Sequence, residues 1–342
     1  MTESFESRHR PEKFSTITIQ SELGNLNGSQ VELSVKIAED GKARAMAFFD
    51  IDGTLAELRF IHDRAISQLY PNHDPQEVAE TFFNGYKLGN SYREHWRMHG
   101  IFNEGRKDWQ DPEIYLAWLK DHQQEVDAPG HQFHDLAAGY LKRYGEVAVK
   151  IVEETAKTEP EKFKTAINQP IFHLAELYRR LGIPMVLMTA NEKNLAQAMA
   201  KQLNLGEMFL DLATDETMEG GGKEKAMNYL MNRLAQKGVP VPTDRLIVVG
   251  DSLRGDVGSL AKLGHEFSGQ GIVVVPETES LAKLKKQIDG QDDLRQVIAD
   301  LDTQALVIDQ VPVNKQGRPM LSSLYRHRFL NKLSNEKLSG NP

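Results

Sequence analysis

One segment constrains the fold of this chain more than any other, and it reads Phe48-Phe49-Asp50-Ile51-Asp52-Gly53-Thr54. A short apolar run over residues 46–49 stops at an aspartate, and such a run is typical of a fully buried strand. Two carboxylates separated by one residue follow, and Gly53 allows a sharp turn after them. The segment predicts a strand that places Asp50 at a sheet edge, with Asp52 on the adjoining loop.

The same segment has a plainer interpretation. Asp and Gly are common loop residues, and an Asp after an apolar run can simply cap a helix. The segment therefore needs support from other strand ends before it can be assigned to chemistry.

Downstream of about residue 171, apolar runs alternate with helical patterns. Strands are predicted at 185–188, 209–212, 246–249, 272–275 and 305–308. Strands that alternate with helices indicate an open parallel sheet covered on both faces. The expected fold class is α/β, with a Rossmann-like parallel sheet as its core.

Thr189, Ala190 and Asn191 follow the predicted strand 185–188. A hydroxyl and free backbone amides at a strand end suit the oxygens of a phosphoryl group. The alternative is that Thr189 only caps the next helix.

Lys223 follows three glycines, residues 220–222, at the predicted start of a helix. A lysine in the first turn of a helix is unfavourable for the helix dipole, which adds weight to an anion-binding role. A solvated lysine is the alternative, and Lys225 is a second candidate.

Asp251, Ser252 and Asp256 follow the predicted strand 246–249. Several carboxylates at one sheet edge would repel each other strongly without a cation nearby. Hard oxygen ligands of this kind suit Mg²⁺, which takes few protein carboxylates.

The four motifs occur in the order Asp-x-Asp-Gly-Thr, Thr, Lys and Gly-Asp-x-x-x-x-Asp, and together they resemble the haloacid dehalogenase superfamily. The resemblance covers about residues 45–60 and 171–280. It implies that Asp50 is the nucleophile, that Asp52 is the general acid and base, and that phosphoryl oxygens bind to Thr189, its neighbours and Lys223. It also implies Mg²⁺ on Asp50, Asp52 and Asp251, with support from Asp256, Ser252 and Thr54. Asp52 favours phosphoryl transfer over dehalogenation, because dehalogenases of this superfamily lack that acid.

The resemblance further implies an inserted α-helical cap at residues 61–170, since the long insertion follows the first motif. The expected division is an N-terminal extension at 1–44, a core at 45–60 and 171–310, and a C-terminal tail at 311–342. The layout is similar to phosphoserine phosphatases, but Arg59 replaces their acidic residue. This hints at a substrate with a second anionic group, for which Tyr92 and Arg93 of the cap are further candidates.

Composition narrows the function classes. The chain of 342 residues has a net charge of −8 and no cysteine, which disfavours nucleic-acid binding and excludes thiolate chemistry. No membrane segment or secretory signal is evident, so a cytoplasmic location is expected. The expected function is hydrolysis of a small phosphorylated metabolite. The alternatives are a phosphotransferase or phosphomutase, and a non-catalytic interaction protein whose terminal extensions bind a partner protein.

Overall fold

A six-stranded parallel sheet forms the centre of the molecule in a computed structural model. The described residues are 14–28, 30–69, 132–218, 222–239, 245–263, 268–276 and 301–308, with isolated positions elsewhere. The strand order is β5-β4-β3-β6-β7-β8. The strands are β3 (Met46–Phe49), β4 (Met185–Met188), β5 (Leu212–Ala213), β6 (Arg245–Gly250), β7 (Ser268–Val275) and β8 (Asp302–Val307).

The short apolar runs form strands because both of their faces are covered. All four residues of β3 and all four of β4 are buried. Side chains alternate across the sheet: Ala47 and Phe49 belong to one hydrophobic cluster, whereas Met46 and Phe48 belong to the other. The predicted parallel, two-faced sheet is confirmed.

Helices pack against both faces of this sheet. They are α1 (Arg59–Leu69), α2 (Gln132–Thr158), α3 (Glu161–Ala166), α4 (Gln169–Leu181), α5 (Lys193–Gln202), α6 (Asp215–Met218), α7 (Lys223–Gln236) and α8 (Gly258–Ala261). The cluster on the Phe49 face includes residues of α1, α2, α4 and α5. The cluster on the Phe48 face includes residues of α7. Within the described residues, no helix is both long and apolar enough to cross a membrane.

Two element boundaries differ from the sequence-based expectation. The strand predicted at 209–212 is displaced to β5, because the Phe209 amide bonds back to the Leu205 carbonyl at 3.0 Å and stays in the preceding turn. The sequence also predicts a helix near residues 257–263, and in the structure this helical segment begins earlier, with a π-helical turn at Leu253–Val257 that leads into α8.

Strands β1 (Phe14–Gln20) and β2 (Glu32–Ala38) pair as an antiparallel hairpin. The hairpin is part of the core, since Val35 is 1% exposed and belongs to the cluster on the Phe48 face. The Ser21 hydroxyl donates to the Phe209 carbonyl at 2.6 Å in buried surroundings. The weak alternation of apolar residues over 17–37 is consistent with a short hairpin or with a partly disordered leader, and the structure has the hairpin.

The predicted cap is described only in part, as α1, α2 and α3. Helix α2 contacts both α1 and α5, and its residues Tyr144, Ala148, Ile151 and Val152 belong to the cluster on the Phe49 face. Tyr92 and Arg93 lie outside the described residues, as does nearly all of the predicted tail.

Candidate active site

Three neighbouring strands end at the same edge of the sheet. Strands β4, β3 and β6 are adjacent and parallel, so Thr189, Asp50 and Asp251 are brought together. The Asp50 amide donates to the Val249 carbonyl at 2.9 Å, which fixes the first aspartate against the end of β6. Parallel sheets place ligands beyond this edge.

Lys223 joins two of the buried aspartates. Its Nζ lies 2.7 Å from Asp50 Oδ1 and also bonds Asp256 Oδ1. Burial alone would lower the pKa of the lysine, but the charges of Asp256 and Asp50 outweigh burial and raise it. Lys223 is therefore charged. The second candidate, Lys225, is exposed and is not the lysine between the two aspartates.

Asp256 is fully buried and accepts two kinds of donor. In addition to the lysine, the Ser252 amide donates to its Oδ2 at 2.9 Å. The Ser252 hydroxyl in turn accepts from the Gly255 amide at 2.9 Å. The π-helical turn after β6 thus points Asp256 back toward the sheet edge.

The carboxylates fit a divalent cation. Asp50, Asp251 and Asp256 each offer an oxygen within 4.8 Å of the others, and Asp251 Oδ1 is buried without a hydrogen-bond partner among the described residues. Burial raises the pKa of Asp50 to about 7, and burial followed by the charge of Asp256 raises the pKa of Asp251. A cation would compensate for this buried negative charge, and carboxylate oxygens are the ligands that Mg²⁺ prefers.

Gly53 makes the approach of the two loops possible. Its φ is +72°, and a Cβ atom at this position would lie 2.5 Å from Asp251 Oδ2. Only glycine combines this left-handed backbone with such close contact.

Asp52 lies beside the cluster and is half-buried. Its Oδ1 accepts from the Leu58 amide at 3.2 Å, and its Oδ2 bonds the Nε2 of His62. The other ring nitrogen of His62 bonds the Tyr144 hydroxyl. Sequence reasoning missed both residues. The available signal was a histidine on the apolar face of α1, beside Ile61 and Ala65.

Thr189 and Asn191 are both buried at the end of β4. The Asn191 amide and side chain donate to Thr189 Oγ1 at 3.3 and 3.2 Å, which leaves the threonine hydroxyl proton for another acceptor. The interpretation of Thr189 as a helix cap is wrong, because the Glu192 side chain caps α5 by accepting from the Leu195 amide.

The remaining predicted residues lie at different depths. Thr54 is fully buried, and its hydroxyl has no hydrogen-bond partner among the described residues. Ala190 is half-buried next to Thr189. The Arg59 guanidinium is half-exposed at the start of α1, 3.6 Å from Asp63.

The part of the sequence that contains this site shows the family of the chain. A model of the haloacid dehalogenase-like hydrolases matches residues 45–264. The chain belongs to the haloacid dehalogenase-like hydrolase family. The match includes the Asp50 segment, Thr189, Lys223 and the Asp251 segment. No curated protein matches the chain.

Several solved structures are similar to the chain at low identity. YfnB from Bacillus subtilis, described as a magnesium-bound HAD-hydrolase, is 15% identical over 72% of this chain and 99% of its own, with a TM-score of 0.39. CbbY from Rhodobacter sphaeroides, in complex with phosphate, is 18% identical over 67% and 86%, with a TM-score of 0.37. The L-2-haloacid dehalogenase from Xanthobacter autotrophicus is 14% identical over 72% and 83%, with a TM-score of 0.36.

Proposed function

We propose that this haloacid dehalogenase-like hydrolase is a Mg²⁺-dependent phosphatase that cleaves a small phosphorylated metabolite through an aspartyl-phosphate on Asp50. The observation that carries the proposal is the buried contact of Lys223 with Asp50 and Asp256, next to the unpartnered oxygen of Asp251. A lysine between carboxylates at a sheet edge can hold both the nucleophile and a phosphoryl oxygen in place.

In the first step, we assign attack on phosphorus to Asp50 Oδ2, because Lys223 bonds Oδ1. The new Asp50 oxygen–phosphorus bond forms as the bond from phosphorus to the ester oxygen breaks. Asp52 donates a proton to the departing alcohol.

In the second step, a water molecule attacks the phosphorus of the aspartyl-phosphate. Asp52 takes a proton from this water, and the bond from phosphorus to Asp50 breaks. Inorganic phosphate leaves, and both aspartates return to their starting state.

The phosphoryl oxygens are assigned to Thr189, Asn191 and the Lys223 ammonium. The buried threonine hydroxyl can donate while its oxygen accepts from Asn191. Mg²⁺, held by Asp50, Asp251 and the Asp52 carbonyl, would neutralise charge on the transferring group.

We also propose that residues 61–170 form a cap that selects the substrate. Support comes from the length of the insertion and from its position directly after the first motif; helices α1, α2 and α3 at its two ends pack against the sheet. Caps of this kind exclude water from a closed site.

A phosphotransferase or phosphomutase would use the same residues, and product analysis separates the two. A hydrolase releases one inorganic phosphate for each substrate consumed, whereas a transferase releases a new phosphate ester. A non-catalytic role is disfavoured because Asp50, Asp52, Lys223 and Asp251 are all present.

The decisive experiment measures hydrolysis of p-nitrophenyl phosphate with and without Mg²⁺. We expect metal-dependent turnover that is lost in Asp50→Asn, because an amide does not attack phosphorus. Asp40→Asn is the matched control, since Asp40 is an exposed partner of Arg44, and it should keep full activity. Thermal unfolding verifies that both variants fold.

Persistent turnover in folded Asp50→Asn would rule out Asp50 as the nucleophile. If the wild type hydrolysed neither p-nitrophenyl phosphate nor a panel of sugar and amino-acid phosphates, the phosphatase proposal itself would fail.

A further inference from the structure

A buried polar chain leads from the interior of the helical layer to Asp52. His62 in α1 is 2% exposed and Tyr144 in α2 is 1% exposed. The two residues are 82 positions apart, yet the Tyr144 hydroxyl bonds His62 Nδ1, and His62 Nε2 bonds Asp52 Oδ2. These hydrogen bonds therefore connect α2, α1 and the loop after β3.

The partners determine the direction of each hydrogen bond. Once Asp52 has given its proton to the leaving group it can only accept, so in that state His62 Nε2 donates to it. A neutral imidazole that donates from Nε2 accepts at Nδ1, and the Tyr144 hydroxyl is the donor there. The chain runs from hydroxyl to imidazole to carboxylate.

The hydrogen bonds to Asp52 fix its carboxylate but leave the side chain partly exposed. Leu58 donates to Oδ1 and His62 to Oδ2, and each carboxylate oxygen has a second position for a hydrogen bond. The Asp52 side chain remains 26% exposed. Both oxygens are fixed, but a proton can still pass between Asp52 and a bound substrate.

His62 and Tyr144 lie in apolar surroundings, where burying their polar groups costs free energy. Ile61, Ala65 and Ala148 of the same two helices belong to the hydrophobic cluster on this face of the sheet. Polar groups in such surroundings must be fully hydrogen-bonded, and an apolar pair of similar size would avoid the desolvation cost.

We propose that His62, supported by Tyr144, is the positioning residue for Asp52 in proton transfer to the leaving group. The inference rests on the proposed phosphatase function. It predicts that loss of His62 lowers kcat/KM most for substrates whose leaving group depends most on protonation.

Two substrates with the same ring separate this role from a structural one. p-Nitrophenolate leaves readily without a proton, whereas phenolate is a poorer leaving group and depends more on the acid. The ratio kcat/KM covers the steps up to the aspartyl-phosphate, so it reports leaving-group departure and excludes the later attack by water.

We expect His62→Ala to lower kcat/KM roughly tenfold for phenyl phosphate and less than about threefold for p-nitrophenyl phosphate. The larger loss is a part of the rate acceleration that a general acid provides. Tyr144→Phe, which keeps the buried ring, should give a smaller loss in the same direction. His62→Gln should restore part of the phenyl phosphate rate, because its side-chain amide can donate to Asp52.

Controls tie the effect to Asp52. Ser67→Ala removes a hydroxyl on α1 that bonds the Asp63 carbonyl at 2.8 Å, and it should leave both rates unchanged. In an Asp52→Asn background, His62→Ala should cause no further selective loss, because the group that it positions is gone.

Equal losses on both substrates in folded His62→Ala and Tyr144→Phe would overturn the positioning role, as would unchanged or increased rates on phenyl phosphate. If His62→Ala does not fold, the same comparison of kcat/KM on the two substrates is made with Tyr144→Phe and His62→Gln, and it tests the positioning role. Those results would leave the phosphatase proposal intact, whereas absence of wild-type turnover on every phosphate ester would remove both.

Discussion

At the scale of single residues, Gly53 carries two separate constraints. Its backbone is left-handed, and its missing Cβ leaves room for the Asp251 carboxylate. The first constraint concerns conformational energy, whereas the second concerns the geometry of the proposed metal site. A second glycine allows the two to be measured separately.

We expect Gly53→Ala to lower the free energy of unfolding by more than the roughly 1–2 kcal/mol of left-handed strain, because the new Cβ also displaces Asp251. We expect Mg²⁺ affinity to fall roughly tenfold or more, as is typical when a ligand is moved from its position. Urea unfolding and calorimetric titration with Mg²⁺ measure the two effects.

Gly41→Ala is the matched control, since Gly41 has a φ of +77° and no described atom within 4 Å of an added Cβ. It should show the strain alone, with unchanged Mg²⁺ affinity. If the two variants lose the same stability and both bind Mg²⁺ normally, crowding at Asp251 is not a constraint.

At the scale of elements, the β1–β2 hairpin acts as part of the covering layer of the sheet. Its buried residues alternate with exposed ones along β2, and the buried ones join the cluster that contains α7. The hairpin should therefore contribute to the stability of the sheet.

Val35→Ala tests this contribution. We expect the free energy of unfolding to fall by about 2 kcal/mol, the cost of deleting buried methyl groups from a packed core. Ser34→Ala changes the neighbouring exposed residue of the same strand and should stay within about 0.5 kcal/mol of the wild type. Similar small effects of both substitutions in chemical denaturation would indicate that the hairpin does not stabilise the sheet.

At the scale of the whole molecule, Arg233 of α7 and Lys237 just after it join Asp211, which precedes β5, to Glu22, which follows β1. Arg233 Nε lies 3.0 Å and Lys237 Nζ 3.7 Å from Asp211 Oδ2, and Glu22 bonds the same lysine. Burial raises the pKa of Asp211, although the Leu212 amide and the two cations oppose the shift. Burial lowers the pKa of Arg233, but the charge of Asp211 opposes this and the net shift is upward.

The raised pKa has a defined consequence for stability. The folded state holds the Asp211 proton to higher pH than the unfolded state, so the contribution of this group is fully present below its ordinary pKa of 3.8. It is lost as pH rises through the higher pKa of the folded state.

We therefore expect the difference in free energy of unfolding, wild type minus Asp211→Asn, to decrease as pH rises from about 4 toward neutrality. Urea unfolding at a series of pH values measures it. An increase over this range would mean that the ion pairs outweigh burial. Asp40→Asn, at an exposed carboxylate, serves as the control for the general effect of removing one acidic group.

The sequence by itself determined the sheet and the residues at its edge, because these depend on local patterns. The four-residue apolar runs at 46–49 and 185–188 are typical of buried strands, and a polar residue follows each of them. Parallel strands share an edge, so Asp50, Thr189 and Asp251 are expected at one edge of the sheet, and the strand order β4-β3-β6 makes their strands direct neighbours. The helix start that is predicted at Lys223 coincides with the first residue of α7.

Only the tertiary structure decided which side chains contact one another across long separations. His62 and Tyr144 meet 82 residues apart, and no local pattern distinguishes a histidine that bonds Asp52 from one that only packs in a helix. The same holds for Lys223 between Asp50 and Asp256, and for the hairpin, whose weak alternation was equally consistent with a loose leader. Periodicity reports which face of an element is buried, whereas hydrogen-bond partners depend on where the packed elements bring individual atoms.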